Sequence, residues 1–147
     1  MLDLPNIKSA ATLLLQQLPI TRRVKVVDVG ANPMAADAAH APLLRLGGCD
    51  VVGFEPQPVA YAELEKIVSA RETFLPYAIG DGTKRALRVY QDHGMTSFLP
   101  ADEAGQRVIA MRRWSGLLEE IEFDTKRLDD CDLGPFDLLK IDNQGAE

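Results

Sequence analysis

Val24-Lys25-Val26-Val27-Asp28-Val29-Gly30-Ala31-Asn32 is the stretch whose reading decides the fold. A β-branched run this short, ended by a permissive glycine, predicts a buried strand that stops in a tight turn. Asp28 and Gly30 then sit where the strand hands over to a helix. In an open α/β sheet that carboxyl end is where ligands bind, because the loops diverge there and leave a crevice under a helix N-terminus.

Working outward, Ser9 to Leu18 predicts an amphipathic helix with Ser9 as its cap and Pro19 as its stop, so residues 1–20 form an N-terminal helical segment ahead of a core over 24–147. After the first strand, Pro33 and the alanines from Ala35 to Ala39 predict a helix that breaks near Pro42 and ends at Gly47-Gly48. Asp50 to Glu55 is a second short apolar strand ending in a carboxylate, and a helix from Pro58 to about Ser69 puts Tyr61, Leu64 and Val68 on one stripe. Strand, helix, strand, helix implies right-handed crossovers and a parallel sheet. A third strand is expected over Thr73 to Ala78. It contains Pro76, which suits an edge, the place of the third strand in the order 3-2-1-4. Ile79-Gly80-Asp81-Gly82 predicts a turn that returns the chain as a β-hairpin through Ala86 to Tyr90. Asp102 to Trp114 is loosely helical, Ile121, Phe123 and Thr125 alternate as in a half-exposed strand, and Phe136 to Ile141 is the fourth strand of the sheet.

The 147 residues, 46% of them hydrophobic, suit one domain with a substantial interior. A net charge of -6 disfavours nucleic acid and anionic membranes as partners. Cys49 and Cys131 stand apart without ligand spacing, so neither a disulfide framework nor a zinc site is indicated. The carboxylates are spread over separate turns, so no metal is expected. The apolar patch at Leu13 to Leu15 is cut by glutamines and lacks a cleavage signature, which leaves the cytoplasm as the default location.

Glu55 lies about one βαβ half-unit beyond Gly30, where a carboxylate can accept two hydrogen bonds from a ribose diol. An adenosine-containing ligand follows, and the choice is between a dinucleotide and S-adenosylmethionine. A pyrophosphate demands close backbone approach at several glycines, whereas Gly30-Ala31-Asn32-Pro33-Met34 offers one glycine and then a proline without an N–H. S-adenosylmethionine is a sulfonium cation without phosphate, so a crevice built from Asp28, Glu55 and Asp142 suits it.

Six stretches now carry a resemblance. They are Val27-Asp28-Val29-Gly30-Ala31-Asn32-Pro33, Gly53-Phe54-Glu55-Pro56, Ala78-Ile79-Gly80-Asp81-Gly82, Gly94-Met95-Thr96-Ser97, Arg127-Leu128-Asp129-Asp130 and Leu138-Leu139-Lys140-Ile141-Asp142-Asn143-Gln144-Gly145-Ala146-Glu147. In this order they resemble an FkbM-type methyltransferase, a class I S-adenosylmethionine-dependent family. The resemblance implies a doubly wound Rossmann-like α/β sheet, order 3-2-1-4 with the added hairpin, and O-methylation of a hydroxyl on a sugar or natural product as the small-molecule acceptor. It implies cofactor binding by Asp28, Gly30, Glu55 and Asp81, the last beside adenine, with Lys140 and Asp142 facing the methyl-transfer centre. The reading adds Asn32 to the cofactor residues and, because imidazole suits a general base near neutral pH, His93 beside Asp142 and Lys140 nearest the acceptor. The family segment after Lys140-Ile141-Asp142 commonly reads Val-Glu-Gly, and here Asn143-Gln144-Gly145 replaces it, so a carboxylate at Gln144 is lost. The family's sheet also continues through three further strands that this sequence lacks. A fragment carrying the cofactor half is the expectation, with self-association through the open sheet edge as the other way to cover the fourth strand. The rivals are a non-catalytic remnant or interaction module that keeps the fold, and a nicotinamide-dependent oxidoreductase.

Overall fold

A computed structural model of the chain describes residues 17, 21–33, 38–91, 96–102, 104–105 and 116–143. Strand β1 (Val24–Val29) is the middle of a four-stranded parallel sheet, flanked by β2 (Cys49–Phe54) and by the last strand, β6 (Leu138–Ile141), with β3 (Glu72–Leu75) beyond β2. The order is β3-β2-β1-β6, so the position expected for a fourth strand is filled by the sixth. Two strands intervene because β4 (Lys84–Tyr90) and β5 (Leu117–Asp124) pair antiparallel in a sheet of their own.

Alternation along β1 sends its side chains to two cores. Val27 and Val29 pack with Phe54 on one face, and Val26 packs with Cys49 and Val51 on the other. Helix α1 (Ala41–Arg45) covers the Val26 face with Leu43 and Leu44. Pro42 lies in its first turn, where a missing N–H breaks no helical bond; residues 34–37 of the helix expected from Pro33 lie outside the described residues. Gly47, at φ +71°, lets the chain turn back into β2, its N–H donating to the Leu44 carbonyl. Helix α2 (Pro58–Ile67) follows β2 and buries Ala60 and Leu64. Val68 caps the end with extended backbone and is 44% exposed, so the expected stripe stops short of it.

The hairpin expected between the third and fourth strands does not form. β3 ends at Leu75, ahead of Pro76, and gives its ladder to β2. The chain then leaves the sheet, and Ala78 and Gly80 bond the backbone of Lys126, beyond β5. Asp81 accepts bonds from both the N–H and the hydroxyl of Thr83, an Asx-type turn that aims the chain into β4. β4 finds its partner in β5, with ion pairs Arg88–Glu120 and Lys84–Glu122 across the ladder. On the far side of the parallel sheet, β6 is an edge strand whose Leu138, Leu139 and Ile141 are each more than a third exposed. The expected helix over Ser9 to Leu18 and most of the loosely helical Asp102 to Trp114 fall outside the described residues. No helix among those described is long and apolar enough to cross a membrane.

Candidate functional site

The carboxyl ends of β1, β2 and β6 open into one cleft of about 640 Å³. Asp28, Gly30, Asn32, Glu55, Lys140 and Asp142 all line it. Six residues singled out from three distant parts of the sequence are thus brought together by the parallel register. Two others are not. Asp81 is absent from the lining, its carboxylate being engaged by Thr83 and by an ion pair with Arg85. Those bonds hold it well below the usual carboxylate range. His93 lies outside the described residues.

Asp28 is on the same face of β1 as Val26, the face that α1 covers, and only 2% of it is exposed. A buried carboxylate needs partners. Register supplies the first: Asp28 is the direct partner of Lys140 across the β1–β6 pairing, and Nζ lies 2.9 Å from Oδ1. The approach is not directed as a hydrogen bond, so the attraction is ionic and Oδ1 keeps its hydrogen-bonding capacity. The second neighbour is His40 at the N-cap of α1, with Nδ1 3.7 Å from Oδ2. Lys140 also donates to the Gly30 carbonyl at 2.8 Å. The ammonium expected beside the reacting groups therefore ties the strand tip of β1 to β6.

Gly30 itself is required by geometry. Its φ is +78°, and a Cβ there would lie 2.1 Å from the main-chain oxygen of Asp142. The N–H groups of Gly30 and Ala31 both donate to the Phe54 carbonyl at 3.0 Å, and the Asp142 N–H donates to the Val29 carbonyl at 3.0 Å. Three strand tips are pinned at this one residue.

Glu55 ends β2 and is 6% exposed. Its N–H donates to the Leu75 carbonyl, and because Pro56 has no N–H, the next donor along the chain, Gln57, reaches back to Oε1 at 2.9 Å. Burial pushes its carboxyl upward, against the pull of the Gln57 bond and of Lys140 and with the help of the Asp28 charge. Among the described residues, four carboxylates (Asp28, Glu55, Glu72, Asp142) face this space against the two fixed cations Lys140 and Arg45. The cleft is acidic.

Sequence reasoning missed His40, Gln57, Leu87, Thr96 and Phe98, which also line the cleft. His40 precedes a short helix whose crossing returns it to the tip of β1, and no local pattern announces that. Leu87 and Phe98 belong to the second sheet, whose partner was misassigned. Thr96 stood within a quoted stretch without a role.

No curated protein and no solved structure matches the chain. A family model described as the methyltransferase FkbM domain matches residues 28–147, from the acid at the tip of β1 through the whole cleft. The chain therefore belongs to the FkbM methyltransferase domain family.

Proposed function

We propose that this methyltransferase domain binds S-adenosylmethionine in the cleft and serves O-methylation of a hydroxyl on a sugar or natural product. The observation that carries the reading is that Asp28 and Glu55, on adjacent strand tips, are both buried and line one hollow. Burying two carboxylates is costly without partners; Lys140 offsets Asp28, and a ligand with a vicinal diol would offset Glu55. The donor set fits such a ligand. Glu55 can accept from two ribose hydroxyls, the acidic surroundings favour a sulfonium, and the proline at Pro33 withholds an N–H that a diphosphate would need.

When bound, S-adenosylmethionine supplies a methyl group activated by its positive sulfur. The residues of this chain position and enclose. Lys140 holds Asp28 and the Gly30 carbonyl in place, which fixes the turn against which the ligand would lie. Leu87 and Phe98 give the cleft a dry wall, where charges interact more strongly than in water. Asp142, at the end of β6, is the residue of the triplet Lys140-Ile141-Asp142 placed to meet an acceptor hydroxyl, and alignment of two such partners is worth roughly 7–11 kcal/mol in favourable cases.

Calorimetric titration of the chain with S-adenosylhomocysteine and, separately, with NADH tests this. Binding of the first and not the second is expected, and Glu55→Ala should weaken it by roughly 1.5–3 kcal/mol through loss of charged hydrogen bonds. NADH binding without S-adenosylhomocysteine binding would overturn the reading.

A further inference from the structure

The wall that the second sheet gives to the cleft differs in chemistry from the strand tips. Leu87 and Phe98 are 4% and 7% exposed and pack on Ala78, just ahead of the turn that links β3 to β4. The segment carrying Phe98 is set against β4 by a closed pair of backbone bonds, Arg88 N–H to Ser97 O at 2.8 Å and Ser97 N–H to Arg88 O at 3.0 Å. The Arg88 guanidinium adds a third, to the Phe98 carbonyl at 2.9 Å. This part of the wall is therefore fixed.

Two adjacent hydroxyls on it have opposite fates. Ser97 Oγ accepts from the Leu99 N–H at 2.9 Å and is accounted for within the chain. Thr96 lines the cleft, and its Oγ1 is buried without a hydrogen-bond partner. Such a group carries a desolvation penalty that nothing among the described residues offsets. Its neighbours in the lining from β4 and this segment, Leu87 and Phe98, are hydrocarbon and aromatic.

We propose that Thr96 Oγ1 is the hydrogen-bond partner of the purine base of the adenosyl ligand, with Leu87 and Phe98 as the apolar surface for the ring. The inference rests on the cofactor reading above. Asp28, Glu55 and Lys140 suit the charged and hydroxylated portions of the ligand. A neutral aromatic ring whose edge alternates donors and acceptors matches an apolar wall with one hydroxyl, which can donate and accept.

The test uses Thr96→Val and Thr96→Ser in the full chain, titrated calorimetrically with S-adenosylhomocysteine and with adenosine, and melted without ligand. Thr96→Val should bind both ligands about three- to tenfold more weakly, the cost of one neutral hydrogen bond, and Thr96→Ser within about twofold of the parent. Unliganded Thr96→Val should melt at or above the parent temperature, because it removes a hydroxyl with no partner and keeps the shape. A lower melting temperature would assign the hydroxyl a structural partner and overturn the proposal. So would unchanged affinity, or a loss seen with S-adenosylhomocysteine but not with adenosine. If the parent chain binds neither ligand, the cofactor reading fails and this inference with it; if it binds both and Thr96→Val binds equally well, only this inference fails.

Discussion

Gly30→Ala tests the geometry on which the cleft depends. Two costs arise at that position. The first is conformational: φ is +78°, and a residue with a Cβ held in the left-handed region loses about 1–2 kcal/mol. The second is steric. The new Cβ would lie 2.1 Å from the Asp142 carbonyl oxygen, and because that oxygen is main chain, no side chain can swing away. The oxygen must retreat by roughly an ångström to reach ordinary contact distance, which strains the Asp142–Val29 bond and the Lys140 bond to the Gly30 carbonyl, each worth about 0.5–1.5 kcal/mol. The total is about 2–5 kcal/mol, a large share of the roughly 5–15 kcal/mol that holds a domain folded. Gly82→Ala is the control. Its φ is +86°, but its Cβ would meet only Arg127 Cγ at 3.4 Å, so it carries the first cost alone, about 1–2 kcal/mol. Urea denaturation of both variants, with unchanged slopes, gives the comparison. A Gly30→Ala variant within about 0.5 kcal/mol of Gly82→Ala would refute the close packing of β1 against the end of β6.

The remaining predictions concern charge. Lys140→Met should cost about 2–4 kcal/mol by stranding the buried Asp28 carboxylate, and adding Asp28→Asn should recover part of that; a double variant less stable than Lys140→Met alone would contradict the pairing. Because the folded-state value of Glu55 is raised, the folded chain holds that proton more tightly than the unfolded one. Stability should therefore fall as pH rises above the ordinary glutamate value of about 4.3, and Glu55→Gln should lack that fall in denaturation series across pH. Asp137 has the opposite sign. Its carboxylate takes two bonds from Arg22 and one from the Lys25 N–H, which depress its value, so its contribution is present above about pH 3.9 and lost on acidification. Asp137→Asn should be less stable than the parent at neutral pH and match it in acid.

Strands β1, β2 and β6 were legible because each is a compact apolar run closed by a turn residue; the crossovers implied a parallel sheet, and the order came from the doubly wound pattern. Helix Pro58–Ile67 was legible for a related reason, with Pro58 at its start and a single apolar stripe. The pairing of Lys84–Tyr90 was not. An Ile-Gly-Asp-Gly stretch marks a turn without saying which strand it serves, and the partner Leu117–Asp124 stands far along the chain with an alternation too exposed to name its ladder. The same asymmetry holds at the site. Asp28 and Glu55 end strands, so the parallel sheet itself places them at one crevice. Asp81 sits in a turn whose local chemistry, Thr83 and Arg85 within four residues, consumes its carboxylate before any ligand can.

One consequence of the β1–β6 register joins fold to chemistry. The Asp28 carboxylate, 2% exposed, takes its lysine partner from neither β1 nor β2. Its partner arrives with the last strand, and that same Lys140 closes on the Gly30 carbonyl while the Asp142 backbone completes the turn from the other side. Docking of β6 is therefore the step that makes the acidic strand tip tolerable and, in the same contacts, shapes the glycine turn beside it. An acid at Asp28 and a lysine at Lys140 form one device split between the beginning and the end of the domain, so the motifs carrying them have meaning only as a pair. Replacing either alone should damage folding and ligand binding together, whereas Glu55, whose bonds are all local to β2 and its neighbours, should allow the two to be separated.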